Sequence, residues 1–577
     1  MDKNFKTCKN NMIDMNRTIG KVLHGLLPLA GVAGGLLLPS CSDSWDDHYA
    51  TLNLGDGTLW ETLSKNSDVS NFRAVLEACG YDNELDGSQA FTVFAPVDDD
   101  FTATMRDSVI SLYRAEKAAG VKESRNKAIK EFVQNHVALY NYSVSSLTND
   151  SIVMMNGKYN ALSANAFAGS SIISSNVLTS NGILYTIASS VTYHPNIYEY
   201  LSRDASFDSV CNFIYSYSVD KFDASQSVAG EIVDGKTQYL DSVTTLTNKL
   251  LTVLDANLYN EDSAYWFLPP VNDVWNKIVP QYEQYFQYDT QVASRDSLMF
   301  YYPRLYALAG TTFSRNVNTD KFIQDSAAVF STVASSFTAR QYSWGNGFNR
   351  YYIFDSPYDS AGIFENVTDV QCSNGLVRKA ELADWHVDST RTVLQTLLRE
   401  TEYAATLDSV YSTNTSEPVY HSVASSNPFY GKVSKNMYME IAPTSTSNIN
   451  VLFDIYNVLS NVAYDVYVVT VPTRAADTLA VAKATKFRAQ MFYHDANGNE
   501  KSYSVTSALE TDSLNVDSVF IGTYTFPTCS FGQSEAQVKM LVQGRVSSSD
   551  VKKGYTRSLN VDCIIFKPQA RVTAEEN

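Results

Sequence analysis

Three short stretches of this chain occur twice and in the same order. That repetition narrows the available folds more than any bulk property does. "TLWETLSKNSDVSNFRAVL" (58–76) is echoed by "NIYEYLSRDASFDSVCNFI" (196–214), and "SQAFTVFAPVDDDFTATM" (88–105) by "DSAYWFLPPVNDVWNKIV" (262–279). "TSNGILYTIA" (179–188) returns as "CSNGLVRKAE" (372–381). A sequence that repeats at this scale builds one supersecondary unit twice. The copies divide the chain into a unit at 57–195 and a longer, divergent one at 196–395, which carries a Tyr-rich helical insertion near Tyr282 to Leu308.

In the first copy, Leu59, Leu63, Val69, Phe72, Val75, Leu76 and Cys79 recur at helical spacing. This predicts two amphipathic helices broken near Ser67-Asp68, either of which can cap the second helix. "AFTVFAP" reads as a short apolar strand stopped by Pro96. One helical stretch over 106–134 and short strands turning at Asn156-Gly157 follow.

From about residue 400 the pattern alternates instead. "INVLFDIYNV", "AYDVYVVTVP", "KFRAQMFYH", "KSYSVTS", "SVFIGTYTF", "AQVKMLVQGRV" and "SLNVDCIIFKP" have strand length and are separated by turn residues. They predict an all-β, jelly-roll-like sandwich over 400–577. Asn497-Gly498 reads as a hairpin turn with positive φ at both central positions. The overall fold class is α+β.

Candidate chemistry is sparse. Asp98, Asp99 and Asp100 form the densest acidic cluster, but Ca²⁺ takes six to eight oxygens and three consecutive side chains do not converge. A helix start fits better, with Asp98 as N-cap and the carboxylates facing the positive end of the dipole. His136 reads as a half-buried histidine that orients a loop. Asp384, His386 and Asp388 share one side of a strand if a strand forms there, and a surface edge is the simpler account. "HDANGNE" (494–500) partly matches a calcium loop, but Asn499-Glu500 stand where the sixth-position glycine is required. No GxSxG, HExxH, P-loop or GxGxxG occurs, so no catalytic residue, metal site or cofactor is expected.

The N-terminus carries an address. Arg17 and Lys21 precede a short apolar run from Leu26 to Leu38, which is too short for a stable membrane span and ends in Leu38-Pro39-Ser40-Cys41. This resembles the lipobox of bacterial lipoproteins, which implies a signal peptide over 1–40 and lipidation at Cys41, with outer-membrane lipid as the first partner. Residues 41–56 form an acidic tether whose opening "SDSWDD" resembles the surface-export signal of Bacteroidota lipoproteins. Loss of 1–40 removes five basic and two acidic groups and takes the net charge from −18 to about −21. No basic run of five exists, which excludes nucleic acid as a partner. Of seven cysteines, only Cys529 and Cys563, which share the C-terminal region, suggest a disulfide, and isolated buried thiols are the simpler reading.

"FTVFAPVDDDF" (91–101), the His136-Val137 pair within "FVQNHVALYNYSVSSL", and "NGILYTIASSV" (181–191) together resemble the fasciclin (FAS1) module. Its motifs read TVFAPTDxAF, His-Val and NGxxHxIDxVL. Val97, Tyr185 and Ala188 depart from that pattern. The resemblance implies two tandem fasciclin-like modules and a non-enzymatic role in binding or adhesion. Combined with the address, it implies a lipid-anchored outer-membrane protein facing outward that accompanies a SusC/SusD-like TonB-dependent importer or other surface lipoproteins. Such a protein would contact a glycan or peptide. An adhesin for host matrix or neighbouring cells is the alternative.

Overall fold

The computed structural model describes residues 55–569, except 56, 145–149, 223–227, 234–235, 242–243, 255, 310, 315–335, 343–348, 356–366, 381–396 and 401–413. The signal segment, Cys8, Cys41, most of the tether and the Asp384–Asp388 stretch lie outside the described residues.

The first unit opens with helix α1 (Leu59–Lys65), whose Thr58 cap accepts the Glu61 N–H. A 3-10 turn at Ser67–Val69 leads to α2 (Ser70–Ala78), which buries Phe72, Val75 and Leu76, and α3 (Tyr81–Asp86) follows. Each such apolar side chain contributes roughly 1.5–3 kcal/mol when fully buried. Strand β1 (Phe91–Pro96) is buried along its whole length. It separates two apolar layers, so its residues show no alternation.

The single helix expected over 106–134 is in fact broken. Helix α4 (Ala103–Ala118) ends before Gly120, which adopts φ +78°, and a 3-10 turn at Glu123–Arg125 leads to Ala128–Val133, a π-type turn running into His136. Glycine tolerates the left-handed geometry that closes a helix end, and the helical pattern reads straight through it. Strands β2 (Val137–Leu139), β3 (Asp150–Val153), β4 (Tyr159–Leu162), β5 (Ala166–Phe167), β6 (Ser170–Thr179) and β7 (Gly182–Ile187) complete a sheet ordered β2-β1-β7-β6-β5-β4-β3. Only β1 and β7 pair in parallel in that sheet.

The second unit repeats this centre. It begins with α5 (Ile197–Leu201) and α6 (Asp208–Tyr215). Strands β8 (Ser218–Phe222), β9 (Val228–Val233), β10 (Lys236–Asp241) and β11 (Thr244–Asn248) pair as two small ribbons before α7 (Lys249–Val253). Strand β12 (Tyr265–Phe267) leads to α8 (Asn272–Glu283), α9 (Arg295–Leu308) and β13 (Thr312–Ser314). A ribbon of β14 (Ser336–Tyr342) and β15 (Asn349–Asp355) precedes β16 (Val367–Cys372) and β17 (Gly375–Ala380).

The order β13-β12-β17-β16 matches β2-β1-β7-β6, and β12 pairs with β17 in parallel as β1 does with β7. Both parallel pairs begin on the glycine of the repeated Asn-Gly. A Cβ on Gly182 would lie 2.2 Å from the Phe91 carbonyl oxygen, and one on Gly375 would lie 1.8 Å from that of Tyr265. The strands approach this closely only without a side chain there.

The C-terminal region is a sandwich of two sheets. One contains β18 (Leu397–Glu400), β19 (Val419–Ser422), β20 (Met437–Ile441), β22 (Ala463–Thr470), β26 (Asp517–Thr525) and β28 (Leu559–Pro568). The other contains β21 (Asn450–Ile455), β23 (Lys486–His494), β24 (Glu500–Ser502), β25 (Leu509–Glu510) and β27 (Val538–Gly544), and a short helix α10 (Ser548–Lys552) precedes β28. Strands β18, β19, β20 and β25 have no counterpart among the alternating runs. Only the first two residues of "KSYSVTS" are in a strand, as the end of β24.

The Asp495–Gly498 segment is a hairpin turn, but only Gly498 has positive φ. Gly498 N–H donates to the Asp495 carbonyl, and Asp495 Oδ1 accepts the Asn497 and Asn499 N–H groups. This is a longer turn with one left-handed glycine, since pairing resumes at His494 and Glu500. Cys79, Cys211, Cys372, Cys529 and Cys563 are buried thiols in no disulfide, Cys529 and Cys563 included.

Candidate functional site

The three aspartates divide into separate structural tasks. Asp98 does not cap the helix that follows it. Its Oδ2 accepts the Ser70 N–H and hydroxyl, and its Oδ1 accepts the Asn71 N–H, so it closes the first turn of α2 across the fold. The cap of α4 is Thr102, which accepts the Met105 N–H. Asp100 Oδ2 accepts the Ser190 N–H and ties down the segment after β7. Asp99 is exposed.

The second unit uses Asn272 in the place of Asp98. It accepts the Ser209 N–H at the start of α6 and donates to the Ala205 carbonyl. The Asn of each repeated Asn-Gly is equally structural. Asn181 accepts the Leu59 N–H and donates to the Leu85 and Gly87 carbonyls, while Asn374 accepts the Ile197 N–H and donates to the Leu258 and Asn260 carbonyls.

His136 is fully buried rather than half-buried, and it does orient a loop. Its Nε2 accepts the Val191 N–H, so Nδ1 carries the proton and donates to the Phe132 carbonyl. Asn135 donates to the Val191 carbonyl, so adjacent residues hold both backbone groups of Val191. Burial lowers the His136 pKa to about 4. Tyr185 stacks on Phe94, donates to the Tyr142 carbonyl and accepts the Val144 N–H, which pins the loop after β2.

Charge gathers where the two units meet. Lys158, almost fully buried, donates to Glu199 Oε2 at 2.9 Å, Glu261 Oε1 at 2.5 Å and Ser373 Oγ at 3.0 Å. Lys130 also pairs with Glu199, and Tyr193 donates to it. Burial alone would raise the Glu199 pKa, but Lys130 and Lys158 outweigh it and hold the carboxyl at about 2. Arg203 with Glu131 and Tyr159 with Asp262 extend the junction outward. Glu199 and Glu261, both half-buried, each have a cation and hydrogen bonds, which fits a structural lock.

The junction between the second unit and the sandwich centres on an aromatic cluster. Phe531 meets the rings of Phe286, Tyr302 and Tyr306, with centroids 4.9 to 5.8 Å away. Gln284 and Tyr285 accept at their carbonyls from Ser460, and Cys529 N–H donates to the Gln287 carbonyl. The 494–498 hairpin adds to this contact. Ala496 accepts the Thr290 N–H, and His494 Nδ1 lies 3.3 Å from the buried Asp289 carboxylate. The Tyr-rich insertion therefore serves as the sandwich's docking element.

Among the described residues, no group of three His, Cys, Asp or Glu is placed to hold a metal ion, and no helix is long and apolar enough to cross a membrane. The motif polar groups are spent on caps, loop ties and the junction. What remains for recognition is surface. The outer face of one sandwich sheet carries Tyr467 and exposed Phe520, with ring centroids 5.3 Å apart, beside Asp465 and Thr523.

Residues 67–192 match the family model described as "Fasciclin domain". Among solved structures, similarity extends to a FAS1 domain pair from the insect cell adhesion molecule fasciclin I. That match has 13% identity over 56% of this chain and 93% of the other, with a TM-score of 0.17. It also extends to the C-terminal family 22 carbohydrate binding module of Clostridium thermocellum Xyn10B, at 11% identity over 31% of this chain and 95% of the module, with a TM-score of 0.19. The CBM22-1-GH10 modules of the same xylanase match at 9% identity and TM-score 0.19, over 30% of this chain and 28% of theirs. Superpositions this loose carry no functional argument. No curated protein matches the chain. By the sequence match residues 67–192 form a fasciclin domain, and the unit that follows repeats its central strand order and its side-chain caps.

Proposed function

We propose that this protein is a non-enzymatic, lipid-anchored binding protein of the outer membrane that faces outward and serves as an accessory subunit of a SusC/SusD-like TonB-dependent importer of glycans or peptides. The observation that carries the binding role is the fasciclin domain at 67–192, a module of adhesion and binding type. The lipobox-like Cys41 and the acidic stretch after it support the anchor and its outward orientation. In this reading the acylated cysteine holds the tether, and the two units act as a spacer joined by the Lys158 junction. The sandwich then offers its Tyr467–Phe520 face to a sugar ring or peptide, since aromatic faces suit either.

Affinity capture of the tagged full chain from detergent-solubilised outer membranes should enrich an importer. Retention on host matrix or on neighbouring cells, with no importer enriched, would transfer the function to an adhesin. A glycan array of the full chain and of a Phe520→Ala variant separates sugar recognition by the sandwich from recognition elsewhere.

A further inference from the structure

The two poles of the sandwich differ in kind. At one pole, Ala463, His494, Thr525 and Val538 lead into loops that dock on the second unit. At the opposite pole, the strands end at Thr470 and Gly544 and begin at Lys486 and Asp517. The loops of this free pole expose aliphatic side chains. Leu479 is 91% exposed, Val481 74% and Leu514 55%. Tyr430 and Val551 stand exposed on neighbouring segments.

These side chains stand on ordered turns. Arg474 Nε and Nη2 both donate to the Thr478 carbonyl, and Asp477 Oδ1 accepts the Leu479 N–H. Asp512 accepts the Leu514 N–H in the same way. Residue 485 is hydrogen-bonded to residues 511 and 556, which ties the loops together. The turns thus hold leucines outward that nothing among the described residues covers.

Charge at this pole runs against the rest of the chain. The protein carries a net −18, yet the segments of this pole hold Arg474, Lys432, Lys483, Lys486, Lys552 and Lys553 against Asp477, Glu510, Asp512, Asp517 and Asp550. Asp477, Asp512 and Asp550 are turned onto backbone N–H groups or Lys486, Glu510 accepts from the Tyr555 hydroxyl, and Asp517 is exposed. Aliphatic tips on separate loops form no flat face for a protein partner, whereas a fluid apolar layer accepts each one independently. Cations around such tips favour anionic headgroups.

We propose that the free pole of the sandwich is a membrane-contact site that inserts Leu479, Val481 and Leu514 into an anionic lipid surface. This contact is separate from any lipidation at Cys41, and it would lay the sandwich on the bilayer with its Tyr467–Phe520 sheet face to the side.

The test uses the full chain with Cys8 and Cys41 replaced by serine and an environment-sensitive fluorophore at Thr478→Cys, since the other five cysteines are buried. A local probe is needed because the apolar run at 26–38 can bind lipid by itself. Label emission should shift to the blue on vesicles of 70% phosphatidylcholine and 30% phosphatidylglycerol. It should stay unchanged on pure phosphatidylcholine, and the shift should fade in 0.5 M salt. Leu479→Asp with Val481→Asp should weaken the response by roughly tenfold or more without lowering the melting temperature. No shift on anionic vesicles, an equal shift on neutral ones, or a shift that survives the double variant would overturn the proposal. The first of these outcomes would leave the tips to a protein partner.

Discussion

Asp98 Oδ1 accepts the Asn71 N–H at 2.8 Å, so a residue just after β1 caps a helix that begins before that strand. The bond closes α2, β1 and the start of α4 into one knot, and Asn272 and Ser209 repeat it at 2.9 Å in the second unit.

Asp98→Ala should therefore destabilise the first unit by about 1–2 kcal/mol, the usual worth of a cap whose loss leaves buried N–H groups unpaired. Asp99→Ala, on an exposed side chain, should change it by less than about 0.5 kcal/mol, and added Ca²⁺ should move neither melting temperature. Denaturant unfolding of both variants checks this, and equal effects would rule out the cap.

Acid should weaken the fold through His136. Its folded pKa of about 4 lies below the ordinary 6.5, so the unfolded chain takes up the proton first. Stability from this residue is complete above pH 6.5 and falls by about 3 kcal/mol as pH drops towards 4. Glu199, held at about 2 against 4.5, adds a second loss between those two values. Urea unfolding from pH 7 to 4.5 should show a shallower slope for His136→Gln than for the native chain; parallel slopes would refute the assignment.

Lys158→Met should cost about 3 kcal/mol, because the largely buried Glu261 would lose its cation while Glu199 would keep only Lys130. Arg203→Ala removes a more exposed pair with Glu131 and should cost under about 1 kcal/mol. Calorimetry together with limited proteolysis between the two units measures both. A Lys158 variant no weaker than the Arg203 variant would show that the lock contributes little.

Phe531→Ala should cost about 3–5 kcal/mol and separate the melting of the sandwich from that of the second unit, since the ring fills the pocket of Phe286, Tyr302 and Tyr306. One unchanged calorimetric transition would contradict a shared core.

The buried thiols should resist modification. Burial pushes the Cys79 and Cys372 thiols up to about 12 and Cys211 to about 11. With Cys8 and Cys41 replaced by serine, native protein should react with a thiol reagent only on unfolding, and a reductant should leave the melting temperature unchanged. A reductant-sensitive melt would restore the Cys529–Cys563 disulfide.

Much of the fold was legible because it is local. The apolar run of β1, the alternation in β22, β23 and β26, and the glycines of Asn156-Gly157 and Asn497-Gly498 report burial, period and φ directly. The sandwich strands absent from those runs, β18, β19, β20 and β25, take their place by pairing with β28, with β23 or with each other, and pairing leaves little periodicity in a strand of two to five residues.

The sequence by itself determined that a unit occurs twice, that a β-rich region follows, and that three aspartates sit where a strand meets a helix. Tertiary structure decided which helix Asp98 caps, that His136 is fully buried, and that Lys158 is locked between two glutamates. It also decided that the hairpin at 494–498 grips the second unit while the opposite pole exposes Leu479 and Val481. Propensity and period act over a few residues along the chain. A hydrogen bond or ion pair depends only on distance in space, and no short stretch of sequence encodes which distant donor will arrive there.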